Sequence, residues 1–250
     1  MRMLGTETSL WLSCPRPKPR AGIRLFCFPY SGASAQVFFP WADLLPETIE
    51  VCPVQLPGHG NRLAELPILD IHLLVVELAE GLRSHFDAPF AFFGHSMGAL
   101  VSFELARYLR REYDLSPVHL FVSGHGAPQL DDREPPIHRL PDAEFVAKIR
   151  NLNGMPQEIL NHAELMALLL PILRADFTAC ETYRFRPGNL LDCPLWALGG
   201  LQDVYATRER LEPWGELTTG PFSVRMFPGD HFYLNTAQPL LLRTLARALI

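Results

Sequence analysis

Phe90-Ala91-Phe92-Phe93-Gly94-His95-Ser96-Met97-Gly98-Ala99-Leu100 reads as an apolar strand that runs into a tight turn, with a serine at the apex and a helix behind it. Gly94-His95-Ser96-Met97-Gly98 has the G-x-S-x-G spacing of a nucleophile elbow. A nucleophile held between strand and helix sits on strained backbone, so its neighbours need freedom from a bulky Cβ, which Gly94 and Gly98 supply. The helix predicted from about Ser96 to Arg111 aims free N–H groups and the positive end of its dipole at the serine, where an oxyanion would be stabilised. The plain alternative is a glycine-rich turn that lets helix and strand pack closely.

Working outward, other apolar runs repeat the pattern. Strands are expected at Ile23–Phe28, Ile49–Val54, Phe90–Phe93, Val118–Val122, Cys193–Gly200 and Phe222–Phe227. Helices are expected from Ser34 to about Leu45, from an Asp70 N-cap to about Phe86, after the elbow, from about Ala206 to Trp214, and from Gln238 to Ile250. Leu73, Leu74, Val76, Leu78 and Leu82 form the expected apolar face of the Asp70 helix. Apolar strands alternating with helices predict a mainly parallel sheet covered on both faces, as in the α/β-hydrolase fold. Ser9–Ser13 is a candidate edge strand, and Pro15-Arg16-Pro17-Lys18-Pro19-Arg20 a loop.

Between the strand ending at Val122 and the one starting at Cys193 the pattern changes. Gly124 to Arg139 is loop-like, and helical stretches follow at about Asp142–Leu152 and Pro156–Tyr183. This is more chain than a crossover helix needs. Residues 1–250 are therefore read as one domain with a helical lid insertion at about 124–187. Met155, Met166, Leu168, Leu169, Leu170 and Ile172 either line an acyl channel or pack the lid onto the core.

A serine nucleophile needs a base, and the base needs an orienting acid. Ser96, Asp203 and His231 follow the order Ser, acid, His, each just past the C-terminal end of a predicted strand. Asp230 is a rival acid, but a neighbouring residue is badly placed to reach the His231 ring; Asp192 precedes its strand and falls at the wrong edge. His95 and His125 are rival bases: His95 adjoins the nucleophile and is expected to point into the structure, and His125 to lie near the lid. The N–H of Met97, and an N–H of the small-residue loop Pro29–Ser34, best assigned to Ser31, are the expected oxyanion donors. Tyr30, His125, Met166 and Phe232 are candidates for the substrate chamber.

Composition bounds the alternatives. Of 250 residues 48% are hydrophobic, which argues for a globular fold over disorder. The net charge of −5 comes without a basic stripe, which argues against nucleic acid as a partner. The longest apolar runs are too short for a bilayer, and Met1 to Cys14 lacks the apolar segment and cleavage site of a signal peptide. Five cysteines, odd in number and unclustered, suit buried thiols in a reducing cytoplasm. No Cys/His pair has zinc spacing, and nothing in the expected chemistry calls for a metal or an organic cofactor.

The chain resembles the type II thioesterases, the stand-alone hydrolases that accompany polyketide and nonribosomal peptide synthases; the animal fatty-acid chain-terminating thioesterase is a relative. The matching stretches are Leu25–Gly32, Val54–Gly58, Phe90–Gly98, Leu120–Gly124, Pro171–Phe177 and Phe227–Leu234, which span almost the whole chain in the family's order. The resemblance implies hydrolysis of acyl groups from the phosphopantetheine arm of acyl or peptidyl carrier proteins, which frees stalled or mis-primed synthases. It also implies Ser96, Asp203 and His231 as the triad and Ser31 and Met97 at the oxyanion hole. Four departures from the family, at five positions, stand in the chain. Ser31 stands where Ala is usual, Ala33 where Gly is common, His59-Gly60 where Arg-Glu is usual, and His125 where Arg is frequent. Backbone donors tolerate the first two; the other two bear on rim contacts and acyl preference. Competing readings are a small-molecule carboxylesterase or lipase of the same fold, and a catalytically idle docking module.

Overall fold

Six continuous apolar runs become a six-stranded, fully parallel sheet in the computed structural model, which describes residues 10–130, 135–152, 154, 155 and 157–250. Its strands are β1 (Ile23–Phe28), β2 (Ile49–Pro53), β3 (Phe90–His95), β4 (His119–Ser123), β5 (Leu195–Gly200) and β6 (Phe222–Phe227), in the order β2-β1-β3-β4-β5-β6. Parallel neighbours require crossovers, and helices supply them. Between strands lie α1 (Trp41–Leu44), α2 (Ile71–Leu82), α3 (Met97–Tyr113), α4 (Asp142–Asn151), α5 (Gln157–Leu160), α6 (Ala163–Thr182) and α7 (Arg208–Leu211); α8 (Tyr233–Thr236) and α9 (Gln238–Leu249) follow β6.

Side chains alternate across each strand, so both sheet faces carry apolar groups. Phe26, Phe28, Phe90 and Phe92 face one cluster with α2 and α3. Leu25, Cys27, Ala91 and Phe93 face the other with Trp41, Leu241, Leu242 and Leu245. Phe92 and Phe93 are both fully buried, each worth about 1.5–3 kcal/mol of transfer free energy. β6 is the exposed edge, and there Arg225 lies over the Trp196 ring at 4.7 Å.

Several local readings change in the structure. The helix expected from Ser34 is split: Ser34 caps a single 3₁₀ turn over Ala35–Phe38, and α1 begins after Pro40. Asp70 does cap α2, accepting from the Leu73 N–H at 3.0 Å, but the buried face is Ile71, Leu74, Val75, Leu78, Ala79 and Leu82. Leu73 and Val76 are 63% and 38% exposed, because the 3.6-residue period rather than residue type decides the face. The helix expected from Ala206 is α7 followed by a 3₁₀ stretch over Glu212–Leu217. The N-terminal segment pairs with the sheet through one antiparallel bridge, Leu12 to Val54, and not as a strand, since the prolines that follow remove ladder donors. Ser9, residues 131–134 of the Gly124–Arg139 loop, and Pro156, the expected start of the second lid helix, lie outside the described residues.

Between β4 and β5 lie α4, α5 and α6. The single helix expected over Pro156–Tyr183 breaks at Asn161–His162, where the His162 side chain accepts from the Leu165 N–H and starts α6. Phe145, Ile149, Leu160, Met166 and Leu173 form a small core of their own, separate from the two sheet clusters. The α4–α5 connection reaches the C-terminal edge of the sheet, where the Gly154 backbone lies so close to Phe232 that a Cβ there would sit 2.3 Å from its Cζ. Among the described residues, no helix is long and apolar enough to cross a membrane.

Candidate active site

Ser96 follows the last residue of β3 and takes φ 54°, ψ −115°, a conformation that an L-residue avoids. Holding it costs about 1–3 kcal/mol, and the surroundings enforce it. The Ser96 N–H donates to the Ser123 carbonyl at 2.7 Å, and the Ser96 carbonyl accepts from the Ala99 N–H at 2.9 Å. The flanking glycines lack a Cβ where the sequence expectation requires it, and they do so through packing. Neither has positive φ; they permit close approach. A Cβ on Gly94 would lie 2.0 Å from the Gly98 carbonyl oxygen, and one on Gly98 would lie 2.1 Å from that of Phe28. The backbone strain sits on the serine itself.

The approach of Gly98 to Phe28 and Pro29 docks the start of α3 on the exit of β1. Met97 opens α3, where first-turn N–H groups lack intrahelical partners. Beside it, the Ala33 N–H donates to the Tyr30 carbonyl at 3.0 Å and closes a turn around Ser31 and Gly32. Met97 and the Ser31 loop therefore share one edge of the sheet.

Asp203 and His231 reach the same edge from the loops after β5 and β6. His231 Nδ1 lies 2.8 Å from Asp203 Oδ2, while Asp203 Oδ1 accepts from the N–H groups of Tyr205 and Ala206 at 2.9 and 3.1 Å. Burial alone would raise the Asp203 pKa, but His231 and the two N–H donors outweigh it and hold it below the usual carboxylate range. In the neutral ring this contact puts the proton on Nδ1 and makes Nε2 the acceptor nitrogen.

The rivals are occupied elsewhere. Asp230 Oδ1 accepts from the Phe232 N–H at 2.9 Å, within its own turn. Asp192 is half-exposed and paired with Arg110. His95 is fully buried, with Nδ1 2.8 Å from Ser123 Oγ, which in turn lies 2.6 Å from the Tyr233 hydroxyl. Burial above all, then the neighbouring His231, pushes the His95 pKa well below the usual imidazole range, so the ring is neutral. Its centroid lies 5.0 Å from that of His231, which brings the residue before Ser96 against the His231 ring. His125 Nδ1 bonds to the Gly126 carbonyl at 2.7 Å.

Two cavities flank this edge. One of 560 Å³ is lined by Leu100, one turn along α3 from Met97, by His125, Ala127 and Leu130 after β4, and by Cys180 and Phe185. The other, of 170 Å³, is lined by Asp203, His231, Tyr205 and Leu152. Of the chamber candidates, His125 lines the larger cavity. Tyr30 and Phe232 pack edge to face at 5.0 Å, with both rings against His95. Met166 departs from the expectation of an acyl-channel residue: it is buried in the small core of α4–α6 and lines neither cavity.

His59 also departs from its expected place at the rim. It is 3% exposed, with Nδ1 2.9 Å from the Pro57 carbonyl and Nε2 2.9 Å from Asp176 Oδ2. Sequence reasoning marked His59 as a departure and quoted Asp176 within Pro171–Phe177, but nothing local signals that residues 117 positions apart meet. Among the described residues, no three His, Cys, Asp or Glu side chains are grouped as a metal ion would need.

A thioesterase-domain family profile matches residues 23–249. The chain is 47% identical over 245 residues to the linear gramicidin dehydrogenase LgrE of Brevibacillus parabrevis, covering 97% of this chain and 93% of that protein. It is 45% identical over 229 residues to the gramicidin S biosynthesis protein GrsT of Aneurinibacillus migulanus, covering 92% and 90%. Among solved structures, the type II thioesterase BorB from the borrelidin biosynthetic cluster superposes with a TM-score of 0.90 at 38% identity, covering 98% of this chain and 100% of BorB. The word dehydrogenase belongs to the name of LgrE; in this sequence no G-x-G-x-x-G run follows any of β1 to β6.

Proposed function

The chain belongs to the thioesterase family, in the type II branch that serves polyketide and nonribosomal peptide synthases, and from that premise we propose that Ser96, Asp203 and His231 hydrolyse acyl groups from the phosphopantetheine arms of carrier proteins. The observation that carries the residue assignment is the 2.8 Å contact of Asp203 with His231 at the sheet edge where Ser96 stands on its strained turn.

His231 Nε2 takes the Ser96 hydroxyl proton as Oγ attacks the thioester carbonyl. The Met97 N–H and the Ser31 N–H receive the oxyanion. As the intermediate collapses, the carbon–sulfur bond breaks and His231 returns the proton to the pantetheine sulfur. Water then enters, gives a proton to His231 and its oxygen to the acyl carbon, and Ser96 leaves with the proton back on Oγ. The products are a free acid and a carrier thiol. Asp203 fixes the His231 tautomer and stabilises the imidazolium.

The 560 Å³ cavity, which Leu100 reaches one helical turn from Met97, receives the acyl chain along its Leu100, Leu130 and Phe185 wall, in a lining that also holds the polar Glu181, Arg184 and Arg210. Residues 1–250 act as one domain, with the segment at about 124–187 as its lid. The separate small core of α4–α6 and the seat of Gly154 on Phe232 support that role. Acyl and peptidyl carrier proteins are the partners. A cytoplasmic location fits five cysteines, odd in number and unclustered in sequence.

The test compares kcat/KM for an acyl-carrier thioester with that for the matched oxygen ester, in the native chain and in Ser96→Ala. A strong thioester preference, lost in Ser96→Ala by on the order of 10⁶, is expected. Equal turnover of the free oxygen ester points to a carboxylesterase, and no turnover of either to a docking module.

A further inference from the structure

Helix α6 presents one face to the turn that carries the proposed oxyanion donor. Leu173, Asp176 and Cys180 lie on that face at helical spacing. Asp176 Oδ2 accepts the Gly32 N–H at 2.6 Å. Gly32 has φ +77°, and a Cβ there would lie 2.3 Å from Leu173 Cδ2. Cys180 Sγ lies 4.0 Å from Ser31 Oγ. Helix and turn are in contact at three successive points.

The Asp176 carboxylate is 3% exposed, and its counter-group is His59, equally buried. A neutral imidazole has one N–H, yet both nitrogens of His59 face acceptor oxygens, those of Pro57 and Asp176. The ring is therefore held doubly protonated. Burial opposes that charge, but the Asp176 carboxylate and then the Pro57 carbonyl outweigh it and raise the His59 pKa above its ordinary value. Removing either partner leaves the other buried without its counter-group.

The contact falls on a sensitive peptide. The Tyr30–Ala33 turn has positive φ at its third residue, as a type II turn requires. The peptide joining Ser31 to Gly32 is the one that flips when a turn changes between types I and II. A carboxylate fixed on the Gly32 N–H sets its direction, and through Ser31 it sets the position of the adjacent Ser31 N–H. No reacting atom touches Asp176.

We propose that Asp176, paired with His59, is a positioning residue that holds the Ser31–Gly32 turn in the orientation that binds the oxyanion, so that seating α6 and completing the oxyanion hole are one event. This rests on the oxyanion assignment above. It adds that a group from the segment between β4 and β5 governs transition-state stabilisation from behind the turn.

The test uses Asp176→Asn and His59→Gln in the full chain. Steady-state kinetics on an acyl-pantetheine thioester are paired with inhibition by an acyl trifluoromethyl ketone, which forms an oxyanion on Ser96, and by the matching secondary alcohol, which does not. Removing one oxyanion donor costs about 10²–10³ in kcat, so displacing one should cost about 10- to 100-fold. KM and alcohol affinity should change less than about threefold, while ketone affinity falls in parallel with kcat. His59→Gln should show a smaller effect with the same signature, and His59→Arg, which keeps a cation, should recover most of the activity. Either Asp176→Asn or His59→Gln, if folded, decides the matter. Unchanged kcat, or a kcat loss without loss of ketone affinity, overturns the proposal. Failure of the reading on which it rests looks different: the native chain would then not be inhibited by the ketone, and Ser96→Ala would keep its activity.

Discussion

His231 Nδ1 and Asp203 Oδ2 stand 2.8 Å apart although 28 residues and the whole of β6 separate them, while Asp230, the neighbour of His231, turns its carboxylate onto the Phe232 N–H. The position after β5 thus supplies the carboxylate that meets the His231 ring, and adjacency in sequence does not. Asp203→Asn should leave the fold intact and lower kcat by about 10⁴, because the amide favours the wrong imidazole tautomer. Asp230→Asn should lower kcat less than about tenfold. Measuring kcat/KM for both variants decides it, and a larger loss in Asp230→Asn would transfer the role.

Ser96 at φ 54°, ψ −115° occupies what is, for glycine, the mirror image of the extended region. Ser96→Gly should therefore abolish turnover and raise stability. The strain released is about 1–3 kcal/mol, and the greater unfolded-state freedom of glycine offsets about 0.5–1 of it. A Tm increase of about 2–4 °C per kcal/mol follows for a chain of this size. Thermal unfolding of Ser96→Gly beside Ser96→Ala is the measurement. If the glycine variant melts no higher than the alanine variant, the serine is not strained.

What could be read from the sequence divides along physical lines. The strands and the elbow were legible because continuous apolar runs and G-x-S-x-G are local signals. So was the place of Ser96, Asp203 and His231 just past the ends of β3, β5 and β6, since parallel connectivity puts successive strand ends on one edge. The buried face of α2 was not, because Leu73 and Val76 have the right residue type and the wrong phase. Met166 is apolar and lies in the insertion, but which core it enters depends on where α4 and α5 fold back, which no window of sequence contains. The His59–Asp176 pair is the extreme case: two polar residues, each ordinary in its own stretch, are buried against each other by the docking of α6 on the loop after β2.

His119, the first residue of β4, predicts a pH dependence of stability. It is 6% exposed, stacked on Phe121 at 4.1 Å, and its Nε2 has no hydrogen-bond partner among the described residues. Burial lowers its pKa to about 4, against an ordinary value of 6.5. The unfolded chain therefore binds the proton first as pH falls. The stability that goes with a neutral His119 is fully present above about pH 6.5 and is lost progressively toward pH 4. At pH 5 that loss is on the order of 1–2 kcal/mol. His119→Phe removes the titration and keeps the ring stack. Its stability relative to the native chain, from urea midpoints, should rise between pH 8 and pH 5. A difference that does not change with pH would show that His119 stays solvated.

Leu130 stands on the wall of the 560 Å³ cavity together with Leu100 and Phe185 and is packed against the core beneath them. If that cavity holds the acyl chain, a larger side chain there shortens it. Leu130→Trp should reduce kcat/KM for long acyl thioesters while short ones are cleaved at close to the native rate, because the elbow, Asp203 and His231 are untouched. Each methylene refused is worth about 1–3 kcal/mol, so the profile should shift by degree over a graded acyl series. Met166→Trp is the control. Met166 fills the separate core of α4–α6, so enlarging it should cost stability through overpacking and leave the relative acyl profile unchanged. A profile that moves with Met166→Trp and not with Leu130→Trp would place the acyl chain under α4–α6 and against the cavity beside α3.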